Sequence, residues 1–297
     1  MCGIVGLFLK DRHLECELGM LVAGMLGTLC DRGPDSAGFA VYGNETPGTI
    51  KLTLRAAGGY DFEHLRKRLE TAAGGAVPYV IRDTHMVVSV PHEREPSIRV
   101  ALAEWPAVTV VGTGCRMEIF KEVGRPDLVA KRFGLSGMTG THAIGHTRMA
   151  TESAVTTDGA HPFTTGPDQC LVHNGSLSNH NAVRRELVHH GLAFQTENDS
   201  EVAAGFMTWK MREGLSLDRA LQASLAALDG FYTFVVGTKS GFGVLRDPIA
   251  CKPAVMAETE RWVAFGTEYR ALVDLPGIDA ARVWEPEPAT VYFRERH

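Results

Sequence analysis

Cys2 combines two groups that together can attack an amide carbon. When Met1 is removed, as is usual before a small residue, Cys2 carries both a thiol and a free α-amine. Reference pKa values of about 8.5 for a thiol and about 8 for an α-amine lie near neutral pH. The amine can therefore relay the thiol proton and later protonate the leaving nitrogen. The alternative is that Cys2 is the second residue of an ordinary strand.

Asn174 and Gly175 could supply hydrogen-bond donors for the oxyanion of such a reaction. They follow the apolar pair Leu171-Val172, at the end of a predicted strand. The side-chain amide of Asn174 and the backbone N–H of Gly175 could converge on one oxygen atom. The local alternative is a hairpin, because Asn-Gly is the strongest short signal for that turn.

Three charged residues could complete a site for an amino-acid substrate. Arg148 could hold a carboxylate through two parallel hydrogen bonds, unless it is an exposed strand arginine. Asp199 precedes a predicted helix and could bind an ammonium group, although an ordinary helix N-cap is an equal explanation. Arg32 begins the turn-rich segment 32–38, which is either a loop beside the nucleophile or a surface turn.

The pattern of apolar residues predicts the elements that must position these groups. Strands are expected at 2–9, 39–42, 142–149 and 170–173, and helices at 14–29, 179–190, 200–212 and 217–228. The region 44–140 is less regular, and we interpret it as an insertion within one domain that covers 1–297. The pattern by itself indicates only a mixture of α and β structure.

Composition excludes several other classes of protein. The chain has 297 residues, of which 44% are hydrophobic and 22% charged, so it can bury a substantial core. The net charge of -5 argues against nucleic acid as a partner. A secretory signal and a long apolar run are both missing, which predicts a cytoplasmic protein. Six cysteines lie scattered without metal-ligand spacing, so we expect no metal and no cofactor in this chain.

Taken together, these segments resemble the class II glutamine amidotransferases, which are N-terminal nucleophile hydrolases. The resemblance rests on segments that occur in one order: Cys2-Gly-Ile-Val-Gly, Arg32-Gly-Pro-Asp-Ser-Ala-Gly, His146-Thr-Arg-Met-Ala-Thr, His173-Asn-Gly and Asn198-Asp-Ser-Glu. It implies an α+β fold, a four-layer αββα sandwich in which two antiparallel sheets pack face to face between layers of helices. The irregular region would be a large insertion in that fold.

The resemblance also implies a role for each candidate residue. Cys2 would attack the side-chain amide of glutamine to form a thioester, and Asn174 with the N–H of Gly175 would form the oxyanion hole. The remaining implied site residues are Arg148 and Asp199 at the amino-acid end of the substrate, Arg32 as a brace for the nucleophile loop, Thr151 as a weaker substrate contact, and Met149, which stands where the family usually has an aromatic residue.

A partner chain is expected, because released ammonia needs an acceptor and no segment resembles a synthase domain. The chain also resembles the glutaminase-like component of N-methylglutamate synthase, a split relative of glutamate synthase. In that complex, which serves methylamine metabolism, other subunits would carry flavin and iron–sulfur chemistry. The insertion could dock such a partner, form the wall of an ammonia tunnel, or merely decorate the fold. The alternatives are a stand-alone amidase acting on another γ-glutamyl amide and a catalytically silent structural subunit.

Overall fold

The computed structural model describes residues 2–150 and 155–296. Within them, the strands are β1 (Gly3–Leu9), β2 (Ser36–Tyr42), β3 (Thr49–Arg55), β4 (Tyr79–Arg82), β5 (His85–Pro91), β6 (Thr109–Gly114), β7 (Met117–Val123), β8 (His142–Arg148), β9 (Phe163–Gly166), β10 (Gln169–Leu177), β11 (Gly230–Gly237), β12 (Gly241–Arg246), β13 (Val255–Glu258), β14 (Trp262–Gly266), β15 (Arg282–Trp284) and β16 (Val291–Glu295). The helices are α1 (Leu18–Thr28), α2 (Phe62–Ala73), α3 (Glu95–Ala103), α4 (Pro126–Arg132), α5 (His180–His189), α6 (Asp199–Arg212) and α7 (Leu217–Ala227).

Two antiparallel sheets form the body of the protein. In the described residues, the first sheet has seven strands in the order β15-β13-β14-β1-β8-β2-β7, and the second has five in the order β16-β12-β11-β10-β9. Strand β1 lies in the middle of the first sheet, where it pairs with β14 on one side and β8 on the other. The residue that precedes β1 therefore lies at the middle of this sheet, next to the end of β8.

The residues of β1 show how the layers are built, because successive side chains point to opposite faces of the sheet. Ile4 and Phe8 pack into the core shared by the two sheets. Val5, Leu7 and Leu9 pack into the core between the first sheet and α1. Both faces are covered, which explains why the strand reads as a continuous apolar run rather than an alternating one.

Helices cover the outer face of each sheet. Helices α1 and α4 contribute to the core on the outer side of the first sheet. Helices α5, α6 and α7 pack in the same way against the second sheet. This arrangement confirms the predicted α+β fold, a four-layer αββα sandwich. None of the helices within the described residues is long and apolar enough to cross a membrane.

A third sheet forms a separate unit in the region predicted to be an insertion. It has four strands in the order β4-β5-β3-β6, and with α2 and α3 it encloses its own apolar core. The unit lies within residues 49–114, so it occupies only part of the predicted 44–140. The remaining part of that region supplies β7 to the first sheet and α4 to the adjoining layer of helices.

Candidate active site

A cavity of about 790 Å³ opens beside Cys2, the residue that precedes β1. The sequence-predicted residues that line it are Cys2, Arg148, Met149, Asn174, Gly175 and Asp199. They come from the start of β1, the end of β8, the middle of β10 and the first turn of α6. The antiparallel register pairs Gly3 with Thr147, which places Arg148 beside Cys2. The structure therefore brings together residues that are up to 197 positions apart.

The carbonyl oxygen of Cys2 is held by two donors. The Arg32 Nε donates to it at 3.1 Å, and the Asn174 Nδ2 donates to it at 3.3 Å. Arg32 does not line the cavity but lies behind Cys2, where its guanidinium also pairs with the carboxylate of Glu268. These contacts restrain the backbone of Cys2 and hence the direction of its thiol.

Glu268 completes this support for Cys2. Its carboxylate accepts hydrogen bonds from both Arg32 and Arg270. Burial raises its pKa, but these bonds outweigh that effect and lower the pKa below its usual value. The neighbouring Thr267 accepts a bond from the N–H of Ile4 at 2.8 Å, which fixes the start of β1. Sequence reasoning assigned no role to either residue; the available signal for Glu268 was an acidic residue two positions after a buried apolar strand.

Asn174 and Gly175 lie within β10, so the hairpin interpretation of Asn-Gly is wrong. Asn174 pairs with Thr233 and Gly175 with Tyr232 on the neighbouring strand β11. Gly175 has a φ of +157°, and a Cβ at this position would lie 2.0 Å from the carbonyl oxygen of Phe231. Only glycine allows this close approach of the two strands.

The two charged residues predicted for the site, Arg148 and Asp199, do not have the structures that their local alternatives implied. Arg148 is only 7% exposed, so the interpretation as an exposed strand arginine is wrong. Asp199 is the first residue of α6, and the N-cap is instead Asn198, whose side chain accepts from the N–H of Ser200. The Asp199 carboxylate accepts from the N–H of Leu177 at 2.9 Å, which ties the start of α6 to the end of β10. A carboxylate here is also stabilised by the helix dipole.

Three buried histidines lie at the cavity: His161 and His173 line it, and the ring of His146 stacks on that of His161. Burial lowers the pKa of His146 to about 3 and the pKa of His161 well below its usual value. Burial likewise lowers the pKa of His173 to about 4, with Asp199 opposing this effect and Lys252 adding to it. All three rings are therefore neutral at pH 7. Sequence reasoning did not single out His161, which no local pattern marks.

The rim of the cavity carries the predicted residue Met149 and further side chains to which the sequence gave no role. Met149 lies on it and is 37% exposed. Phe231 and Lys252 also line it, with the Lys252 Nζ lying 4.9 Å from the centre of the Phe231 ring. The predicted substrate contact Thr151 falls outside the described residues. Within 2–150 and 155–296, no cluster of three His, Cys, Asp or Glu side chains suits a metal ion.

The fold resembles that of a solved amidotransferase. The structure of glutamine phosphoribosylpyrophosphate amidotransferase from B. subtilis, complexed with ADP and GMP, superposes with a TM-score of 0.63 at 20% sequence identity. The match covers 99% of this chain and 47% of that one. This likeness shows that the two chains share the αββα fold, with β1 at the centre of its first sheet.

Sequence comparison gives the family. A family model described as "Glutamine amidotransferase domain" matches residues 146–274. The chain is 60% identical over 295 residues to the glutamine amidotransferase-like protein GlxB of Rhizobium meliloti (strain 1021), covering 99% of this chain and 98% of that protein. It is 32% identical over 308 residues to a putative glutamine amidotransferase of Methanothermobacter thermautotrophicus, covering 99% and 100% of the two chains. The chain belongs to the class II glutamine amidotransferase family.

Proposed function

We propose that this protein hydrolyses the side-chain amide of glutamine, or of a related γ-glutamyl amide, with Cys2 as its nucleophile after removal of Met1. The observation that carries the proposal is the convergence of different groups on one cavity. A thiol, two oxyanion donors, a buried guanidinium and a carboxylate all line it. Each step of amide hydrolysis thus has a suitable group at hand.

The chemical steps follow from these groups. The α-amine of Cys2 takes the thiol proton, and the sulfur attacks the amide carbon. The resulting oxyanion accepts hydrogen bonds from the Asn174 Nδ2 and the Gly175 N–H. The protonated α-amine then gives its proton to the leaving nitrogen, so that ammonia departs and a thioester remains. Water attacks the thioester, releases glutamate and restores the thiol.

The amino-acid end of the substrate would be held by opposite charges. Arg148 binds the α-carboxylate, and Asp199 binds the α-ammonium group. Burial restrains Arg148, and the hydrogen bond from the N–H of Leu177 restrains Asp199. The distance between the two charges is therefore fixed before the substrate binds. Met149 contacts the substrate from the rim, where a flexible thioether replaces the flat ring usual in the family. This leaves room for an N-methylated amide as well as for glutamine.

The direct test combines intact-protein mass with an assay of ammonia release. We expect the mass to lack Met1, and we expect Cys2→Ala to abolish release from glutamine. The exposed Cys16 gives the matched control, because Cys16→Ala should leave the rate unchanged. A purified protein that retains Met1 and releases nothing from glutamine or its N-methyl amide, even with partner subunits present, would refute the proposal and indicate a structural subunit.

We further propose that the ammonia passes to a synthase partner in an N-methylglutamate synthase or glutamate-synthase-like complex. In an N-methylglutamate synthase, glutamate and methylamine would give N-methylglutamate and ammonia, so the group passed on there would be methylamine released from the N-methyl amide. In a glutamate-synthase-like complex, the group passed on would be the ammonia released from glutamine. The partner subunits would carry the flavin and iron–sulfur groups. The family supports transfer of ammonia, and the separate unit at 49–114 offers a surface for a partner in a hetero-oligomer. Full activity of the isolated chain would instead favour a stand-alone amidase.

The partner surface can be tested on strand β4, which forms one edge of the third sheet. Tyr79, Val80 and Ile81 on this strand are all at least 40% exposed. Val80→Asp should prevent co-purification with the partner and leave hydrolysis of glutamine unchanged. Val100→Asp is the control, since Val100 is 67% exposed on α3 of the same unit. If Val80→Asp leaves the complex intact, this edge is not the docking surface.

A further inference from the structure

One hydroxyl group joins the start of α6 to the strand that carries the oxyanion residues. The Ser200 Oγ lies 2.9 Å from the His161 Nε2 and 2.9 Å from the His173 Nδ1. It also lies 3.4 Å from the Asp199 Oδ1. Ser200 is only 2% exposed, so these protein groups take the place of water around its hydroxyl.

Counting protons fixes the direction of each bond. A hydroxyl has one proton and two lone pairs, a neutral imidazole has one N–H, and a carboxylate only accepts. All contacts are favourable in one arrangement: both rings donate to the Ser200 Oγ, and Ser200 donates to Asp199. The Asp199 Oδ1 lies 3.8 Å from the His173 Nδ1, too far for a hydrogen bond, so it does not replace Ser200 as the partner of that nitrogen.

The remaining ring atoms agree with this arrangement. The His146 Nε2 lies 3.0 Å from the carbonyl oxygen of His173, so the proton of His146 must be on Nε2. Within these three rings, the nitrogens without a hydrogen-bond partner among the described residues are then His146 Nδ1, His161 Nδ1 and His173 Nε2. In this arrangement each of these three nitrogens carries a lone pair and no proton. An unpaired buried acceptor is tolerated more readily than an unpaired buried N–H.

His173 is consequently anchored at two points. Its carbonyl is held by His146 and its ring by Ser200, and it directly precedes Asn174 in β10. The His173 Nε2 lies 2.7 Å from the point that a Cβ on Gly175 would occupy, so the ring also abuts the second oxyanion residue. A displacement of Ser200 would therefore move both Asp199 and the oxyanion strand.

We propose that Ser200 is a positioning residue that couples the carboxylate for the substrate ammonium group to the oxyanion strand. Its hydroxyl fixes the Nδ1–H tautomer of His173 and the orientation of Asp199 at the same time. Binding of the substrate amine at Asp199 is thereby linked to the geometry at Asn174 and Gly175. The expected effect on kinetics rests on the proposed function. The tautomer of His173 can be measured without any turnover.

The first experiment measures tautomers by long-range ¹H–¹⁵N correlation spectra of histidine-labelled protein. His161→Gln and His173→Gln variants assign the signals. We expect the wild type to show His173 protonated on Nδ1 and His161 on Nε2, and Ser200→Ala to move the His173 proton to Nε2. A wild-type spectrum with His173 protonated on Nε2, or one that Ser200→Ala leaves unchanged, overturns the proposal even if the protein hydrolyses glutamine.

The second experiment measures kcat and KM for glutamine. Loss of the bond to Asp199 should raise KM about 10-fold in Ser200→Ala, the size expected for a hydrogen bond to a charged group. Ser200→Thr keeps the hydroxyl and should restore KM. The control is Ser224→Ala, which removes a fully buried serine hydroxyl on α7 and should not change KM. Equal KM values in the wild type and Ser200→Ala would contradict the coupling, while inactivity of the wild type would contradict the proposed function instead.

Discussion

Replacement of Gly175 by alanine tests the placement of the oxyanion strand. A Cβ at this position would lie 2.0 Å from the Phe231 oxygen and 2.7 Å from the Tyr232 Cα, both in the backbone of β11. A normal carbon–oxygen contact needs more than about 3 Å, so β10 and β11 must separate locally by about 1 Å. The same Cβ would lie 2.7 Å from the His173 Nε2, so it cannot avoid the β11 backbone by moving toward that ring.

This separation should reduce turnover far more than binding. A shift of about 1 Å in a catalytic group costs about 100-fold, and loss of one oxyanion donor costs about 100- to 1000-fold in kcat. We therefore expect kcat of Gly175→Ala to fall by about 100- to 1000-fold. KM should change much less, because Arg148 and Asp199 lie on other elements of the fold.

Stability gives an independent measurement of the same clash. A non-glycine residue with a φ near +157° is strained by about 1–3 kcal/mol, which corresponds to a decrease in Tm of about 2–6 °C. Gly24→Ala is the matched control, because a Cβ there meets no atom within 4 Å and alanine favours the helix α1. It should raise Tm slightly without changing kcat. If Gly175→Ala keeps more than half of the wild-type kcat, the assignment of the Gly175 N–H to the oxyanion is incorrect.

The remaining predictions concern the charged and titrating residues. Arg148→Lys should raise KM for glutamine about 10- to 100-fold by removing a paired hydrogen bond, whereas Arg185→Lys on the exposed side of α5 should not. Glu268→Gln should lower kcat about 10-fold, since Arg32 loses its charged partner; an unchanged kcat would show that the Cys2 carbonyl needs no such support. Burial lowers the pKa of His142 to about 3, so the unfolded chain takes up its proton first as the pH falls below about 6.5. As the pH falls from about 6.5 to about 4, this residue alone should lower the free energy of unfolding by about 1.4 kcal/mol per pH unit. Urea titrations of His142→Gln should therefore show a weaker dependence of the free energy of unfolding on pH.

Several elements of the fold could be predicted because their apolar patterns are strong. The predicted strand at 2–9 corresponds to β1, and the predicted helices at 179–190, 200–212 and 217–228 correspond to α5, α6 and α7. The sheet to which each strand of the region 44–140 belongs was harder to predict, since β7 and the strands of the third sheet have similar compositions. Which sheet a strand joins depends on long-range pairing, such as that of Phe39 with Phe120.

The local signals at the site were ambiguous for a related reason. Asn-Gly indicated a hairpin, yet eight residues of β10 pair with β11 through it without a break. An Asp before a helix indicated a cap, yet Asn198 caps α6 and leaves Asp199 to bond with Leu177. In both cases a tertiary contact, rather than local propensity, determines the conformation.

The sequence by itself determined the chemical groups, their order along the chain and, through resemblance, the family and its fold. Residue types fix intrinsic chemistry, so a thiol at Cys2 and an amide at Asn174 could be recognised without coordinates. Only the tertiary structure decided how Glu268, Ser200 and His161 support those groups, because each acts on a partner at least 27 positions away. Such contacts follow from the register of strands and the packing of α6 on β10, which no local window of residues contains.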